Sequence, residues 1–462
     1  MALNAKHSKR AGIALRIAAA TALLTVAGCA STTRPALAPL DASGAAFDQA
    51  TELALKQDAA TLTPPWLEPR AVDLTRPLAP DDIALIAVIA NPDLRALRKQ
   101  ANVADAQVFA AGLLPDPTFS FGIDFVLSGP VTTFANALAG SLSLDLAGVR
   151  TRTATLRQAE AQARQVRLDL AWAEWQTAGQ ARLLASQIVA AEQQMVLLRD
   201  ISRLSSSLFE RTRRAAGRGD IGGDQLQVAR LAEIDASAQL RAAELALVQS
   251  RQDLLKLLGL PPATEILLQP DSSPSLAVSC TALERLAPAR TDIAALREGY
   301  AAQDAAVRLA KLSAFPAPGL TINGSRNESG NRFAGPAINL TLPLWNRGRG
   351  TIAVADATGA ALQAQYDARL FQARADIATL CAVYSTASQQ LVALRSELPP
   401  VERFAAAASR AARRGDLARA VADNASLALW SKQLQAAQLE QGQRERIIGL
   451  EMATGQKVEA WK

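Results

Sequence analysis

The stretch LLPDPTFSFGIDF, residues 113–125, interrupts a long helical pattern and decides the fold. Pro115 and Pro117 end the preceding helix, because proline lacks the amide hydrogen that a helix interior needs. Beyond them, apolar residues alternate with small or polar ones, which predicts a β-strand with one apolar face. The same pattern returns about 200 residues later as AFPAPGLTING, residues 314–324. The apolar positions of the first strand are Phe119, Phe121, Ile123 and Phe125.

This return is one of four sequence landmarks that occur twice in the same order and at a nearly constant offset. Such regular repetition predicts two copies of one structural unit. The unit consists of a helix, two strands, a long helix, a tight turn and a returning helix. The matching stretches begin at Asn91 and Arg290, at Pro115 and Pro316, at Ser141 and Asn339, and at Arg213 and Ala411.

A long helix is predicted for each copy. In the first copy it covers residues 151–214, which contain no proline and only Gly179. Small and apolar residues recur there every seven positions, as in a coiled coil, and the helix would be about 95 Å long. Residues 224–258 form the predicted returning helix. In the second copy the long helix begins near Thr351, and the double proline ending at Pro400 predicts a kink or a break.

Four strands are predicted, two in each copy. Their length and alternation are typical of transmembrane barrel strands, although similar strands occur in soluble sheets packed on helices. Four strands cannot close a barrel, and open sheet edges are not tolerated in lipid. A membrane-spanning sheet would therefore require several chains, and three chains would supply twelve strands. The predicted strands are residues 118–125, 139–146, 319–327 and 337–344.

Residues 1–28 have the features of an export signal, in which basic residues precede an apolar segment too short to span a bilayer. The sequence TVAGC resembles a bacterial lipoprotein signal, in which Cys29 would receive the lipid. By the same resemblance, the neutral Ala30 implies delivery to the outer membrane. An ordinary signal peptide with an incidental Cys29 is the alternative. Residues 29–80 are predicted to be an irregular, proline-rich leader that follows the lipid anchor.

The composition excludes several functions once this signal is removed. The single histidine, His7, lies within the signal, so the mature chain has no Ser-His-Asp or Cys-His catalysis. The formal charge of +6 falls to about +2, which gives no indication of nucleic-acid binding. No enzyme, metal site or transmembrane helix is predicted. Cys280 and Cys381 are permitted to pair in an oxidising compartment, but two unpaired buried thiols are expected.

Together these features resemble the TolC family of trimeric outer-membrane efflux channels. The resemblance rests on the lipoprotein signal, the tandem repeat, the hairpins between long helices, and the motifs NPDL, LPDP and LPLWNRGRG. The NP-x-L and P-x-P pattern is similar to the CzcC-like heavy-metal branch. The implied fold is mainly α with a small β part. Long antiparallel, coiled-coil-like helices would form a trimeric α-barrel, and each chain would contribute four strands to a shared 12-stranded transmembrane β-barrel.

The resemblance also implies a domain organisation and a function. The first repeat would cover residues 81–260, a connector residues 261–288, and the second repeat residues 289–462. The homotrimer would be a passive conduit in the bacterial outer membrane, without a cofactor other than the lipid on Cys29. It would carry substrates, heavy-metal cations in the CzcC-like branch, from the periplasm to the outside. Its partners would be a periplasmic adaptor (membrane fusion protein) and an inner-membrane RND-type pump.

Two alternatives remain open at the sequence level. The same architecture serves as the outer-membrane exit for drug efflux or type I secretion. A lipid-anchored periplasmic coiled-coil scaffold with soluble hairpins is the second alternative. It differs in predicting no stable trimer and no ion conductance.

The candidate site consists of the two turns GRGDIGGD, residues 217–224, and RRGDLARA, residues 413–420. In the simpler hypothesis, Asp220 and Asp416 cap the returning helices. In the other, the turns open as a gate, contact the adaptor and place charges around an aperture. The turn glycines are Gly217, Gly219, Gly222, Gly223 and Gly415. The aperture candidates are Asp220, Asp224, Asp416 and Asp423, with Arg413, Arg414 and Arg419 as their partners.

Overall fold

The computed structural model describes residues 74, 76–125, 136–270 and 279–461. The predicted signal, Cys29 and most of the leader lie outside these residues. The helices are α1 (Pro80–Ala90), α2 (Pro92–Gly112), α3 (Leu146–Gly217), α4 (Gly223–Leu258), α5 (Cys280–Glu284), α6 (Thr291–Ser313), α7 (Arg349–Arg414) and α8 (Arg419–Thr454). The strands are β1 (Thr118–Asp124), β2 (Ala137–Asp145), β3 (Pro318–Arg326) and β4 (Arg332–Leu340).

The order of elements in the first half returns in the second. Elements α2, β1, β2, α3 and α4 correspond in turn to α6, β3, β4, α7 and α8. The long helices α3 and α7 contain 72 and 66 residues, so each is roughly 100 Å long. Each packs along its returning helix, and α3 also packs on α6 and α8. The two copies are therefore joined side by side along their long helices.

Small residues allow these helices to approach each other closely. Alanine dominates the buried positions of α3. At Gly179, a Cβ atom would lie only 2.3 Å from Cγ of Met452 on α8. The glycine in the predicted coiled-coil region is therefore required by the contact between the two copies.

The first copy is anchored by the short helix α1. Every residue from Ile83 to Ala90 is buried, against α3 and α4. Asn91 then begins α2, because its side chain accepts a hydrogen bond from the Leu94 amide at 2.9 Å. The same side chain donates to the Leu257 carbonyl at 2.8 Å, near the end of α4. The asparagine of NPDL thus connects both ends of the first repeat.

The strands form one antiparallel sheet in the order β1-β2-β3-β4. Its register places Phe119, Leu142 and Ile322 side by side on one face, which is exposed. The opposite face is polar, and its side chains hydrogen-bond across the strands. These bonds join Ser120 to Ser141 at 2.7 Å, Thr321 to Ser143 at 3.1 Å, and Asn339 to Thr321 at 3.1 Å. The predicted alternation therefore extends across all four strands.

The fourth strand differs from its prediction. It runs from Arg332 to Leu340 rather than over residues 337–344. Pro343 has no amide hydrogen for a ladder, and the Leu344 amide donates locally to the Leu342 carbonyl at 2.9 Å. Pro336 lies within β4, which is an edge strand in the single chain.

The predicted break in the second long helix does not occur. Helix α7 contains Pro399 and Pro400 but continues from Arg349 to Arg414. Both prolines are exposed. Among the described residues, α7 is the one helix long and apolar enough to cross a membrane by length and composition. It packs along α6 and α8, but several of its apolar residues, including Val354, Phe371 and Val392, are exposed.

Cys280 and Cys381 form a disulfide, contrary to the expectation of two unpaired thiols. Cys280 begins α5, and Cys381 lies in the middle of α7, with 5.9 Å between their Cα atoms. Both lie in an apolar cluster that includes Leu283 and Ile377. The sequence separation of 101 residues concealed this proximity, because only the folding of α7 past the connector brings the two residues together.

Candidate functional site at the helix turns

The two turns use the same backbone geometry. Gly219 and Gly415 have φ angles of 78° and 84°, in the left-handed region that favours glycine. The amides of Asp220 and Asp416 donate to the carbonyls of Ala215 and Ala411, each at 3.0 Å. This pattern is a Schellman motif, which ends a helix and reverses the chain. Gly217, Gly222 and Gly223 do not have left-handed φ angles.

The hypothesis that Asp220 and Asp416 cap the returning helices is wrong. The N-cap residues of α4 and α8 are Gly222 and Ala418, and neither helix start has a side-chain cap. Each aspartate lies two residues before the N-cap and pairs instead with an arginine two residues earlier. The pairs Arg218–Asp220 and Arg414–Asp416 both have Nε to Oδ2 distances of 2.8 Å and are exposed. The tight glycine turn folds each arginine back onto its aspartate.

Asp423 lies in a different environment. It is only 4% exposed, on α8, and its carboxylate accepts a hydrogen bond from Arg211 on α3. Arg419 approaches the other oxygen, with 3.3 Å between Nε and Oδ1. The pair with Arg211 connects the first copy to the second beside the turns. It also places both turns at the same end of the long helices.

The remaining candidates are exposed at this end. Asp224 is in the first turn of α4, and Arg413 donates to Ser409 at 2.9 Å. In the single chain, Asp220, Asp224 and Asp416 are therefore solvent-exposed charges at or beside the two turns. Of the predicted charges, the structure brings together Asp416 with Arg414 and Asp423 with Arg419.

Sequence reasoning missed Arg211 and Arg218. The sequence did contain a signal for Arg211. The pair of Arg211 and Asp423, which joins the two copies, has no charged residues at the matching positions of the repeat. At the repeat offset, Arg211 corresponds to Ala407 and Asp423 to Gln227. A charge present in one copy only indicates a contact that the internal symmetry does not make twice.

A second buried charge cluster lies where α6 begins. Arg290 and Asp292 are both nearly buried and are joined by two hydrogen bonds of 2.9 and 2.7 Å. Arg369 of α7 also donates to Asp292 at 2.8 Å, and the Arg290 guanidinium stacks 4.3 Å from the ring centre of Trp172 on α3. Burial acts to raise the pKa of Asp292, but the two arginines outweigh it and hold that pKa below its ordinary value.

At Glu451 of α8, burial has a larger effect on the pKa than the neighbouring positive charge has. Burial raises the pKa of this carboxyl above its ordinary value, although Arg182 and the Val458 amide oppose the shift. The Arg182 Nη1 to Glu451 Oε2 distance is 2.6 Å. Both clusters join the first copy to the second and are structural. Among the described residues, no group of three or more Cys, Asp, Glu or His side chains could hold a metal ion.

Comparison with known proteins places this architecture among solved membrane channels. CusC, from a study of folding and transmembrane channel formation, is 17% identical with a TM-score of 0.64, over 82% of this chain and 92% of that chain. The outer-membrane channel OprN is 17% identical with a TM-score of 0.66, over 87% and 96% of the two chains. The open outer-membrane channel MtrE of Neisseria gonorrhoeae is 18% identical with a TM-score of 0.61, over 81% and 88%.

Neither a family model nor a curated protein matches the sequence. At this level of identity, the structural matches establish the fold and do not distinguish the CzcC-like branch from other channels. The chain therefore has the TolC-like channel fold of CusC, OprN and MtrE, as its sequence resemblance predicted.

Proposed function

We propose that the chain is the outer-membrane channel of a tripartite efflux system. The observation that carries the proposal is the four-stranded sheet at the ends of the long helices. Its apolar face is exposed, with Phe119 72% and Phe121 62% accessible, and no strand among the described residues pairs with the outer edge of β1 or of β4. An exposed apolar sheet of this kind would be an aggregation site in water.

Closure into a membrane barrel would cover the apolar face with lipid and would pair both open edges of the sheet. If β1 of one copy pairs with β4 of the next, three copies form a closed barrel of twelve strands. The apolar face then contacts lipid, and the polar face with Ser141 and Thr321 lines the pore. The long helices extend from the barrel into the periplasm, where the turns at their far end contact an adaptor.

The proposed mechanism is passive conduction. An inner-membrane RND-type pump supplies the energy, and the turns open to let the substrate enter. As substrates we propose heavy-metal cations, because the NP-x-L and P-x-P motifs are similar to the CzcC-like branch. The matches to outer-membrane channels support the conduit but not the substrate. Lipidation at Cys29 would add an anchor in the outer membrane.

The test is the mass and conductance of the purified full-length protein in detergent and planar bilayers. A mass of three chains with discrete conductance steps is expected. A monomer without conductance would favour the lipid-anchored scaffold and would contradict the proposal. For the substrate, a deletion strain should become sensitive to heavy-metal salts and should keep its resistance to hydrophobic drugs. The reverse result would favour drug efflux.

A further inference from the structure

Two arginines occupy an unusual position on the apolar face of the sheet. Arg326 ends β3 and Arg332 begins β4, and the two are directly opposed across the strands. The register places both on the same face as Leu320 and Ile322, whereas the alternate residues face the polar side. Like charges directly opposite each other destabilise a sheet. Their presence therefore needs a compensating negative charge.

No residue in the described ranges supplies that charge. Both arginines are exposed, and the structure shows no side-chain hydrogen bond or ion pair between either guanidinium and another described residue. Glu328, in the turn between the two arginines, also forms no ion pair there. The stretch VLSGPVTTFA, residues 126–135, which connects β1 to β2, contains no Asp or Glu. Within the described residues, the two guanidiniums are therefore open to an anion from outside.

The position of the pair along the sheet identifies the kind of partner. Strand β3 has nine residues, so Arg326 is about 27 Å from Pro318 along the strand and about 20 Å along the membrane normal at a barrel-strand tilt of about 40°. The apolar band of a membrane barrel is about 25 Å tall. With Pro318 at the edge of that band nearer the helices, the pair lies within about 5 Å of the opposite edge. Long arginine side chains at such an edge extend to the headgroup level.

We propose that Arg326 and Arg332 bind a phosphate group of a lipid in the outer leaflet. The inference rests on the proposed function, because it requires the apolar face to contact lipid. A guanidinium can form two parallel hydrogen bonds with a phosphate, and this geometry makes it a strong phosphate ligand. The tight turn holds the two residues opposite each other, since the Asn327 amide donates to the Asn331 carbonyl at 3.0 Å. One phosphate between them removes their repulsion.

The experiment measures lipid retained by the full-length channel after reconstitution in phosphatidylcholine nanodiscs. The discs contain either lipid A with two phosphates or the same lipid after dephosphorylation, and retained lipid is counted by mass spectrometry. The wild type should retain the phosphorylated lipid about tenfold better, as charge-assisted bonds predict. R326Q/R332Q should lose this preference. R326K/R332K should keep part of it, because lysine keeps the charge without the bidentate geometry.

The matched control is R230Q/R241Q, which removes two exposed arginines from α4, far from the strands, and should keep the preference. Equal retention of both lipids by the wild type would overturn the inference, as would an unchanged preference in R326Q/R332Q. The wild-type comparison decides the question even if the double variant does not insert. Equally tight binding of inorganic phosphate by the detergent-solubilised protein would show an anion site rather than a lipid site and would also overturn it.

Conductance is recorded on the same preparations. A conducting trimer without lipid preference contradicts only the lipid site. A preparation with neither trimer nor conductance contradicts the proposed function itself.

Discussion

At the residue scale, charged residues that lie close together in the sequence differ in how deeply they are buried. Asp416 and Asp423 are both near the second turn, yet one is exposed and the other is enclosed by Arg211 and Arg419. An exposed ion pair contributes little, about 0 to 1 kcal/mol, because water and salt screen it. Removing one partner of a buried pair has a larger effect, because the other charge is left without compensation. The two aspartates should therefore respond differently to substitution.

Replacing Asp423 with alanine should weaken the contact between α3 and α8 and increase the time the channel spends open. Arg211 is only partly exposed, so we expect a loss of about 1–3 kcal/mol in stability. Single-channel recording and thermal unfolding measure the two effects. Asp416→Ala is the matched control and should change stability little. If conductance is unchanged when both residues are alanine, the aperture-charge hypothesis is contradicted.

Asp292 should make stability depend on pH. Its pKa is lowered in the folded protein because Arg290 and Arg369 outweigh the effect of burial. A lowered pKa stabilises the fold above the ordinary value of 3.8, and this contribution is lost as pH falls through the folded pKa. At pH 7, Asp292→Asn should thus lower the free energy of unfolding by about 3 kcal/mol. Melting curves of the variant and the wild type should begin to converge as pH falls below about 3.8 and should meet once pH is below the lowered pKa of the folded state; a constant difference down to about pH 2 would argue against this role.

At the element scale, the register of the sheet assigns every strand residue to one of two environments. Phe121 and Ser141 are on neighbouring strands but on opposite faces. Because a one-residue slip would exchange the faces of a whole strand, the apolar set fixes the register. The cross-strand bonds of Ser120 with Ser141 and of Thr321 with Asn339 support the same alignment from the polar face.

Phe121→Arg should impair membrane assembly, whereas Ser141→Arg should preserve it. A charge on the lipid face of a barrel costs about 2–4 kcal/mol near the middle of the bilayer, and a charge in the lumen is hydrated. The yield of trimer after extraction measures assembly. Ser141→Arg should lower the conductance, because it adds a cation to the pore. Equal yields of both variants would show that the two faces do not differ in environment.

At the scale of the whole molecule, insertion of the barrel and lipidation are two separate means of membrane attachment. The proposed barrel holds the trimer in the bilayer by its apolar face, and the lipid on Cys29 would hold the leader. A lipid anchor attaches only the residue that carries it, whereas a closed barrel is an integral part of the membrane. The contributions of the barrel and of the lipid to membrane attachment can be separated by removing the lipid alone.

Cys29→Ser, exported with an ordinary signal peptide, should stay in the membrane fraction after alkaline carbonate washing. The barrel would retain it without the lipid, and its conductance should match that of the wild type. Fractionation followed by immunoblotting measures this, with a periplasmic soluble protein as the control. Release of the variant into the wash would instead support a scaffold held only by its lipid.

Much of the fold was predictable because its determinants are local and repeated. Heptad spacing predicted α3, proline pairs marked both passages from helix to strand, and alternation assigned the sheet faces. The site was less predictable. The glycine turns were located, but the partners of Asp220 and Asp423 were not, since Arg218 folds back through the turn and Arg211 comes from another helix.

The sequence by itself determined the repeat, the long helices and a sheet with one apolar face, because periodicity and backbone chemistry act over a few residues. Only the tertiary structure decided which residues meet across long separations. It paired Cys280 with Cys381, buried Asp423 against the first copy, kept α7 continuous through Pro399 and Pro400, and set Arg326 opposite Arg332. These outcomes depend on the packing of helices and the register of strands, which bring together residues that no local pattern relates.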